Sequence, residues 1–224
     1  MARDWVIVVA AGSGRRFGGA KQYAPLGGRR VLDWSLDAAR AGGRGVVLVV
    51  APTEVGRPEP AADVVVAGGA TRSGSVRAGL AAVPADAPRI VVHDAARPFA
   101  PPELFDAVLA AVAGGADGAV PGLPVADTIK QVDAAGRVVH TPARASLVAV
   151  QTPQAFRAAA LRDAHARAAE GTDDAQLVEA AGGTVVVVPG RADNRKLTEA
   201  DDLAWAESRL AGRASARTAT GAAR

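Results

Sequence analysis

Trp5-Val6-Ile7-Val8-Val9-Ala10-Ala11-Gly12-Ser13-Gly14-Arg15-Arg16-Phe17-Gly18-Gly19-Ala20-Lys21 is the stretch that decides the fold class. Six apolar residues without alternation read as a strand buried on both faces, the habit of a parallel sheet covered by helices. The glycines behind it let the chain turn sharply and aim N–H groups at an anion, and Arg15, Arg16 and Lys21 add charge close by. Two familiar phosphate loops fail to match. A dinucleotide loop needs Gly-x-Gly-x-x-Gly, but Phe17 stands where the third glycine belongs, and Val50 leads into Ala51-Pro52 with no acidic residue closing the second strand. The Gly-Lys-Ser/Thr of a P-loop is also absent. The segment is either a plain glycine-rich turn or a triphosphate-binding loop, and its charge favours the second.

Outward from that strand, short Val/Ile-rich runs alternate with Ala-rich helical stretches, as in an α/β protein with a mostly parallel sheet. Strands are expected at 5–10, 45–50, 63–66, 89–93, 118–121 and 184–189. Helices are expected at 31–41, 73–82, 102–113, 157–169, 174–181 and 199–210. Thr198 with Asp201, and Asp173 with Gln176, have the spacing of capping boxes, and Gly182-Gly183 suits a helix C-terminus. One segment breaks the rhythm. Residues 128–132 and 137–141 alternate polar and apolar side chains around Asp133-Ala134-Ala135-Gly136, which reads as a β-hairpin arm at about 124–147. A lone hairpin is marginal in water, so it must rest on the domain or on a partner chain. The domain is expected to span 1–211, with a structureless tail at 212–224 where periodicity is lost.

Composition narrows the function. The chain has no cysteine, which removes disulfides, thiolate metal sites and thiol catalysis. Aromatics at 4% are too few for a single-stranded nucleic-acid groove, and a formal charge of +3 with no Lys/Arg block argues against nucleic acid and for small anions. The first apolar run is too short for a signal peptide or a membrane span, so a cytoplasmic protein is expected. Lysine is scarce: Lys21, Lys130 and Lys196 stand among 26 basic residues. The bias is either compositional habit or a mark of sites that need a compact, mobile ammonium.

Two further segments carry chemistry. His93-Asp94-Ala95-Ala96-Arg97-Pro98 closes a buried strand, and ligands of open α/β sheets bind beyond strand carboxyl ends. Asp94 could hold Mg²⁺ beside phosphates, or pair with Arg97 to fix the turn; His93 reads as a packed histidine. Gly190-Arg191-Ala192-Asp193-Asn194-Arg195-Lys196-Leu197-Thr198 is a polar loop whose Lys196 either faces solvent or projects to the same sheet edge as Lys21. His140 and His165 join no cluster, and no Ser–His–Asp set can be assembled.

The first loop through Lys21-Gln22-Tyr23, Gly68-Gly69 with Arg72 and Ser75-Val76, the Asp94 segment, Asp127-Thr128-Ile129-Lys130, Gln151-Thr152-Pro153-Gln154 and Asp193–Thr198 occur in one order. Together they resemble the 2-C-methyl-D-erythritol 4-phosphate cytidylyltransferase family over nearly the whole chain except the tail. The resemblance implies a Rossmann-like nucleotidyltransferase domain, a homodimer interlocked through the hairpin arm, Mg²⁺ as cofactor, and CTP and a polyol phosphate as substrates. It implies nucleotide contacts at Ala10, Ala11, Gly12, Gly14, Gly69 and Ser75. Arg16 and Lys21 match residues that stabilise charge at the triphosphate, while Arg144 and Lys196 match residues that position the acceptor. Asp94, Arg97, Thr128 and Thr152 match further substrate contacts, with Asp94 also the candidate metal ligand. Val9 departs from the usual proline, and Ala70 stands where an acidic residue sometimes meets the base or ribose. A ribitol- or other polyol-phosphate cytidylyltransferase would share almost all these motifs. With no region to spare for the cyclodiphosphate synthase domain sometimes fused to this activity, a monofunctional enzyme is expected.

Overall fold

The apolar run that opens the chain forms the central strand of a computed structural model describing residues 3–14, 17–167 and 169–221. In chain order the strands are β1 (Trp5–Ala10), β2 (Pro25–Leu26), β3 (Arg29–Arg30), β4 (Gly45–Val50), β5 (Val64–Ala67), β6 (Arg89–Asp94) and β7 (Gly118–Pro124). Then come β8 (Gln131–Val132), β9 (Val138–His140), β10 (Val148–Val150), β11 (Gln154–Arg157) and β12 (Val185–Pro189). The helices are α1 (Val31–Arg40), α2 (Arg72–Ala82), α3 (Pro102–Ala113), α4 (Ala158–Ala166), α5 (Asp174–Ala180) and α6 (Ala200–Gly221).

Eight strands make one sheet in the order β10-β7-β11-β6-β1-β4-β5, with β12 added in parallel to β7. β1 lies between β4 and β6, parallel to both. Side chains along β1 alternate between two layers, as a pleated strand requires. Val6, Val8 and Ala10 pack with Leu32 and Leu36 of α1 and Phe105 and Val108 of α3. Trp5 and Ile7 pack with Val76 and Leu80 of α2, Leu161 of α4 and Leu177 of α5. The mostly parallel α/β expectation therefore holds, with helices on both faces. A third cluster places α6 over Leu26, Val31, Phe99 and Leu197, so the last helix bears on both lysine-carrying segments. Among the described residues no helix is long and apolar enough to cross a membrane.

The strand order turns at β1: the chain first steps outward to β4 and β5, then returns to place β6 on the other side. A crevice opens beyond the carboxyl ends at such a reversal.

Several expectations are adjusted. β10 and β11 were not foreseen; both run antiparallel along β7, one at each half, separated by Pro153, which has no N–H for a ladder. The hairpin is present, with its ladder confined to β8 and β9. Asp133 Oδ1 closes its turn by accepting from the N–H groups of Ala135 and Arg137. Helix α6 continues to Gly221, where a structureless tail is expected; between Gly212 and Gly221 the sequence is rich in alanine and free of proline, so propensity carries the helix on. At its start Asp202 rather than Asp201 is the capping group, accepting from the N–H groups of Thr198 and Glu199 at 2.6 and 3.0 Å. Asp173 caps α5 through the Gln176 N–H as expected, but Gln176 Oε1 reaches Thr172 instead of completing the box.

Candidate active site

The crevice at the reversal is a cavity of about 730 Å³. Its wall is built from Val9–Gly14, Lys21 and Gln22 of the first loop, Gly69–Arg72 and Ser75 at the start of α2, Asp94–Ala96 behind β6, and Lys196. Four chain segments, distant in sequence, thus meet where the fold predicts a ligand.

The first loop is held open by a residue whose side chain points back into it. Gln22 is buried, and its amide donates to the carbonyls of Ala10 at 2.7 Å and Gly12 at 3.2 Å. Those bonds occupy the carbonyls of Ala10 and Gly12, two residues that line the cavity. Gly14 has a φ of +63°, and a Cβ there would run into the Gly19 carbonyl, so only glycine fits. Lys21 opens a single 3-10 turn, Lys21–Tyr23, at the cavity's edge. Arg16, assigned with Lys21 to the triphosphate, lies outside the described residues.

On the opposite wall, Thr71 caps α2 by accepting from the Gly74 N–H. The Ser75 hydroxyl is turned inward and donates to the carbonyls of Thr71 at 2.9 Å and Gly69 at 3.4 Å. Ser75 therefore shapes this turn, with Gly69 exposing main chain to the cavity.

Asp94 forms the floor and, among the described residues, is the one carboxylate on the wall. Its Oδ2 accepts from Lys196 Nζ at 2.7 Å, while Arg72 Nη2 stands 3.6 Å from Oδ1. Burial opposes its ionisation, but Lys196, Arg72 and Arg97 outweigh that and hold the carboxyl well below the usual carboxylate range. The Asp94 N–H donates to Thr152 Oγ1, which also lies 3.2 Å from His93 Nδ1. His93 is fully buried against Phe105, and burial pushes its pKa down to about 4 even though Asp94 pulls it up. It is a neutral, packed histidine, as its sequence context suggested.

The remaining candidates divide. Arg97 and Thr152 sit behind the wall rather than on it: Arg97 donates to the Asn194 carbonyl at 2.8 Å, and Thr152 braces Asp94. Arg144 and Thr128 lie on the exposed arm, with Arg144 Nη1 bonded to the Ala126 carbonyl at 2.8 Å, and neither lines the cavity. Two residues had been quoted in motifs without a role: Gln22, which sets the loop, and Arg72, which faces Asp94. Gln151 is a third; its side chain bonds Arg191 and Asn194 and so fixes the loop that carries Lys196. Side-chain-to-main-chain bonds across such distances leave no local sequence signature.

No group of three or more His, Asp or Glu side chains among the described residues is gathered to hold a metal. The wall instead presents Lys21, Arg72 and Lys196 against one carboxylate, a surface made for a polyanion. A phosphate-suited loop behind β1 and a cationic crevice at the strand reversal define an α/β nucleotidyltransferase. Residues 5–211 match the family model for 2-C-methyl-D-erythritol 4-phosphate cytidylyltransferase, and the chain belongs to that family.

The 2-C-methyl-D-erythritol 4-phosphate cytidylyltransferase of Frankia casuarinae is 48% identical, over 92% of this chain and 80% of that protein. The bifunctional enzyme IspD/IspF of Clavibacter michiganensis is 47% identical over 96% of this chain, which spans only 56% of that protein's length. Among solved structures, 2-C-methyl-D-erythritol 4-phosphate cytidylyltransferase from Thermus thermophilus superposes with a TM-score of 0.77 at 36% identity, covering 91% of this chain and 97% of the other.

Proposed function

We propose that the chain transfers the cytidylyl group of CTP to 2-C-methyl-D-erythritol 4-phosphate, giving 4-diphosphocytidyl-2-C-methyl-D-erythritol and pyrophosphate. The observation that carries this reading is the convergence of Lys21 and Lys196 on one cavity at the ends of β1 and β6. An oxygen of the acceptor phosphate attacks the α-phosphorus of CTP. The bond to the β-phosphate breaks, and its electron pair leaves with pyrophosphate. A phosphate monoester is largely dianionic near neutral pH, since its second pKa is about 6, so the nucleophile needs no general base. That agrees with the neutral, buried state of His93.

The difficulty is bringing two polyanions together. At an effective dielectric of 20, two unit charges 4 Å apart repel by about 4 kcal/mol. Lys21 serves the triphosphate, where its charge is worth most as negative charge moves onto the leaving group. Lys196 serves the acceptor phosphate. Its ammonium is partly exposed and can turn from Asp94 toward an incoming oxygen. The main chain at Ala10, Ala11, Gly12, Gly14 and Gly69 borders the nucleotide, and Arg16 belongs to the same loop.

Mg²⁺ fits this wall as an ion that arrives on the triphosphate. Among the described residues Asp94 Oδ1 accepts no hydrogen bond, with Arg72 at 3.6 Å, so this oxygen could meet the metal or a water upon it. Mg²⁺ held there would neutralise phosphate charge.

The arm supports a homodimer. Ile129, Val132, Val138 and Val139 are exposed on it, and Val148 and Val150 are exposed on β10, an apolar surface that a second copy would cover. In that assembly the arm of one copy carries Arg144 and Thr128 to the acceptor phosphate in the other. A reaction that consumes CTP fits a cytoplasmic site of action.

The test is pyrophosphate release from CTP and Mg²⁺ with each acceptor in turn. Turnover with methylerythritol phosphate is expected. Release with ribitol phosphate alone would sink this assignment, and tight CTP binding without release for any acceptor would indicate a nucleotide-binding regulator.

A further inference from the structure

Five charged or titratable side chains run in a line from the helical layer to the cavity. His165 Nε2 lies 3.0 Å from Asp174 Oδ1, and Arg72 Nη1 donates to Asp174 Oδ2 at 2.8 Å. Arg72 Nη2 faces Asp94 Oδ1 at 3.6 Å, and Lys196 holds Asp94 Oδ2 at 2.7 Å. The members come from α4, α5, α2, the end of β6 and the loop before α6. Asp174 has no solvent exposure, and an isolated buried carboxylate is costly enough that its partners must stay in place.

The two cations on Asp94 differ in how they are held. The Lys196 side chain is 39% exposed, and among the described residues the carboxylate is the sole partner of its ammonium. The Arg72 side chain is 26% exposed and is tied from behind to a buried anion. An anionic ligand entering the cavity competes with Asp94 for Lys196, because a flexible lysine follows the stronger charge. It cannot draw Arg72 away without breaking its bond to Oδ2 of the buried Asp174. We infer that Arg72, anchored by Asp174 and His165, is a positioning residue that keeps Asp94 oriented while Lys196 turns to the substrate phosphate.

The inference rests on the proposed reaction for its kinetic consequence, but the coupling it asserts is also readable in nucleotide binding. The experiment is a double-mutant cycle with Arg72→Met, Asp94→Asn and the double variant. CTP affinity would be measured by calorimetry and turnover by pyrophosphate release. If Arg72 acts through Asp94, the double variant is impaired no more than about threefold beyond Asp94→Asn alone, in whichever of the two measurements Asp94→Asn impairs. Losses that multiply would overturn the inference and leave Arg72 a structural brace, as would an Asp94→Asn variant unimpaired in both. Should Arg72→Met fail to fold, the same cycle is run with Arg72→Lys, which retains a cation for Asp174. Asp174→Asn adds the upstream link: combined with Arg72→Met it should add no loss, and a multiplied loss would remove Asp174 from the line. Absence of turnover in the unmutated protein would be a failure of the proposed reaction, whereas independence of the two sites in CTP affinity would be a failure of this inference.

Discussion

The cavity and the arm are built on opposite principles. Around the cavity the key side chains are held by partners: Gln22 on the first-loop carbonyls, Thr152 on the Asp94 N–H, Lys196 and Arg72 on the Asp94 carboxylate. On the arm, valines and an isoleucine face solvent, and the ladder between β8 and β9 is two to three residues long on each strand. The first region is organised before any ligand arrives, which is what electrostatic catalysis requires. The second is ordered mostly by local bonds such as Asp133 to Arg137, and in the proposed homodimer another copy would complete it. In the proposed reaction, preformed and delivered cations would therefore do different jobs: Lys21 would meet the triphosphate in its own cavity, while Arg144 would be brought to the acceptor by the second copy.

The contrast can be broken in four places. The largest effect is expected at Lys21, where Lys21→Ala should lower turnover by about 10²–10³-fold, the scale for removing one preorganised transition-state contact. Thermal unfolding should be unchanged, and near-normal turnover would take Lys21 out of the mechanism. Next comes the buried floor. His93 has a folded pKa of about 4 against an unfolded value near 6.5, so its contribution to stability is full above 6.5 and is lost as pH falls towards 4. Denaturant unfolding should show a decline of up to about 3 kcal/mol across that window, absent in His93→Gln.

Arg144→Ala should weaken use of the polyol phosphate by about 10–100-fold, the range for one charge-assisted hydrogen bond, with KM for CTP little changed. An equal rise in KM for both substrates would place Arg144 with the nucleotide instead. The smallest effect is expected at Lys130, whose ammonium donates to Thr141 on the exposed arm at 2.9 Å. Lys130→Ala should shift stability by no more than about 0.5 kcal/mol and leave both KM values alone. A clear loss of activity would give the third lysine a role like that of the other two.

The buried half of the molecule was the more legible in sequence. β1, β4 and α3 fall on their expected residues because unbroken apolar runs and a proline at a helix start are local signals. β10 and β11 escaped notice because each is only three or four residues long and pairs with β7, far off in sequence. In the site, the glycine loop, Asp94 and Lys196 were readable from motif order. Gln22, Gln151 and the Asp174–Arg72 link were not, since each acts on a partner 10 to 102 residues away. Arg144 and Thr128 show the reverse case: motif order named them, but within one chain they stay on the arm, away from the cavity.

The claim that one site is assembled from two copies is tested most directly by mixing inactive variants. Lys21→Ala and Arg144→Ala chains, co-refolded or co-expressed in equal amounts, should recover about one quarter of unmutated turnover. Half the dimers are then mixed, and each mixed dimer pairs one intact cavity with one intact arm. Recovery to that level is the predicted result; activity no greater than either parent, with mixed dimers shown to be present, would contradict the account.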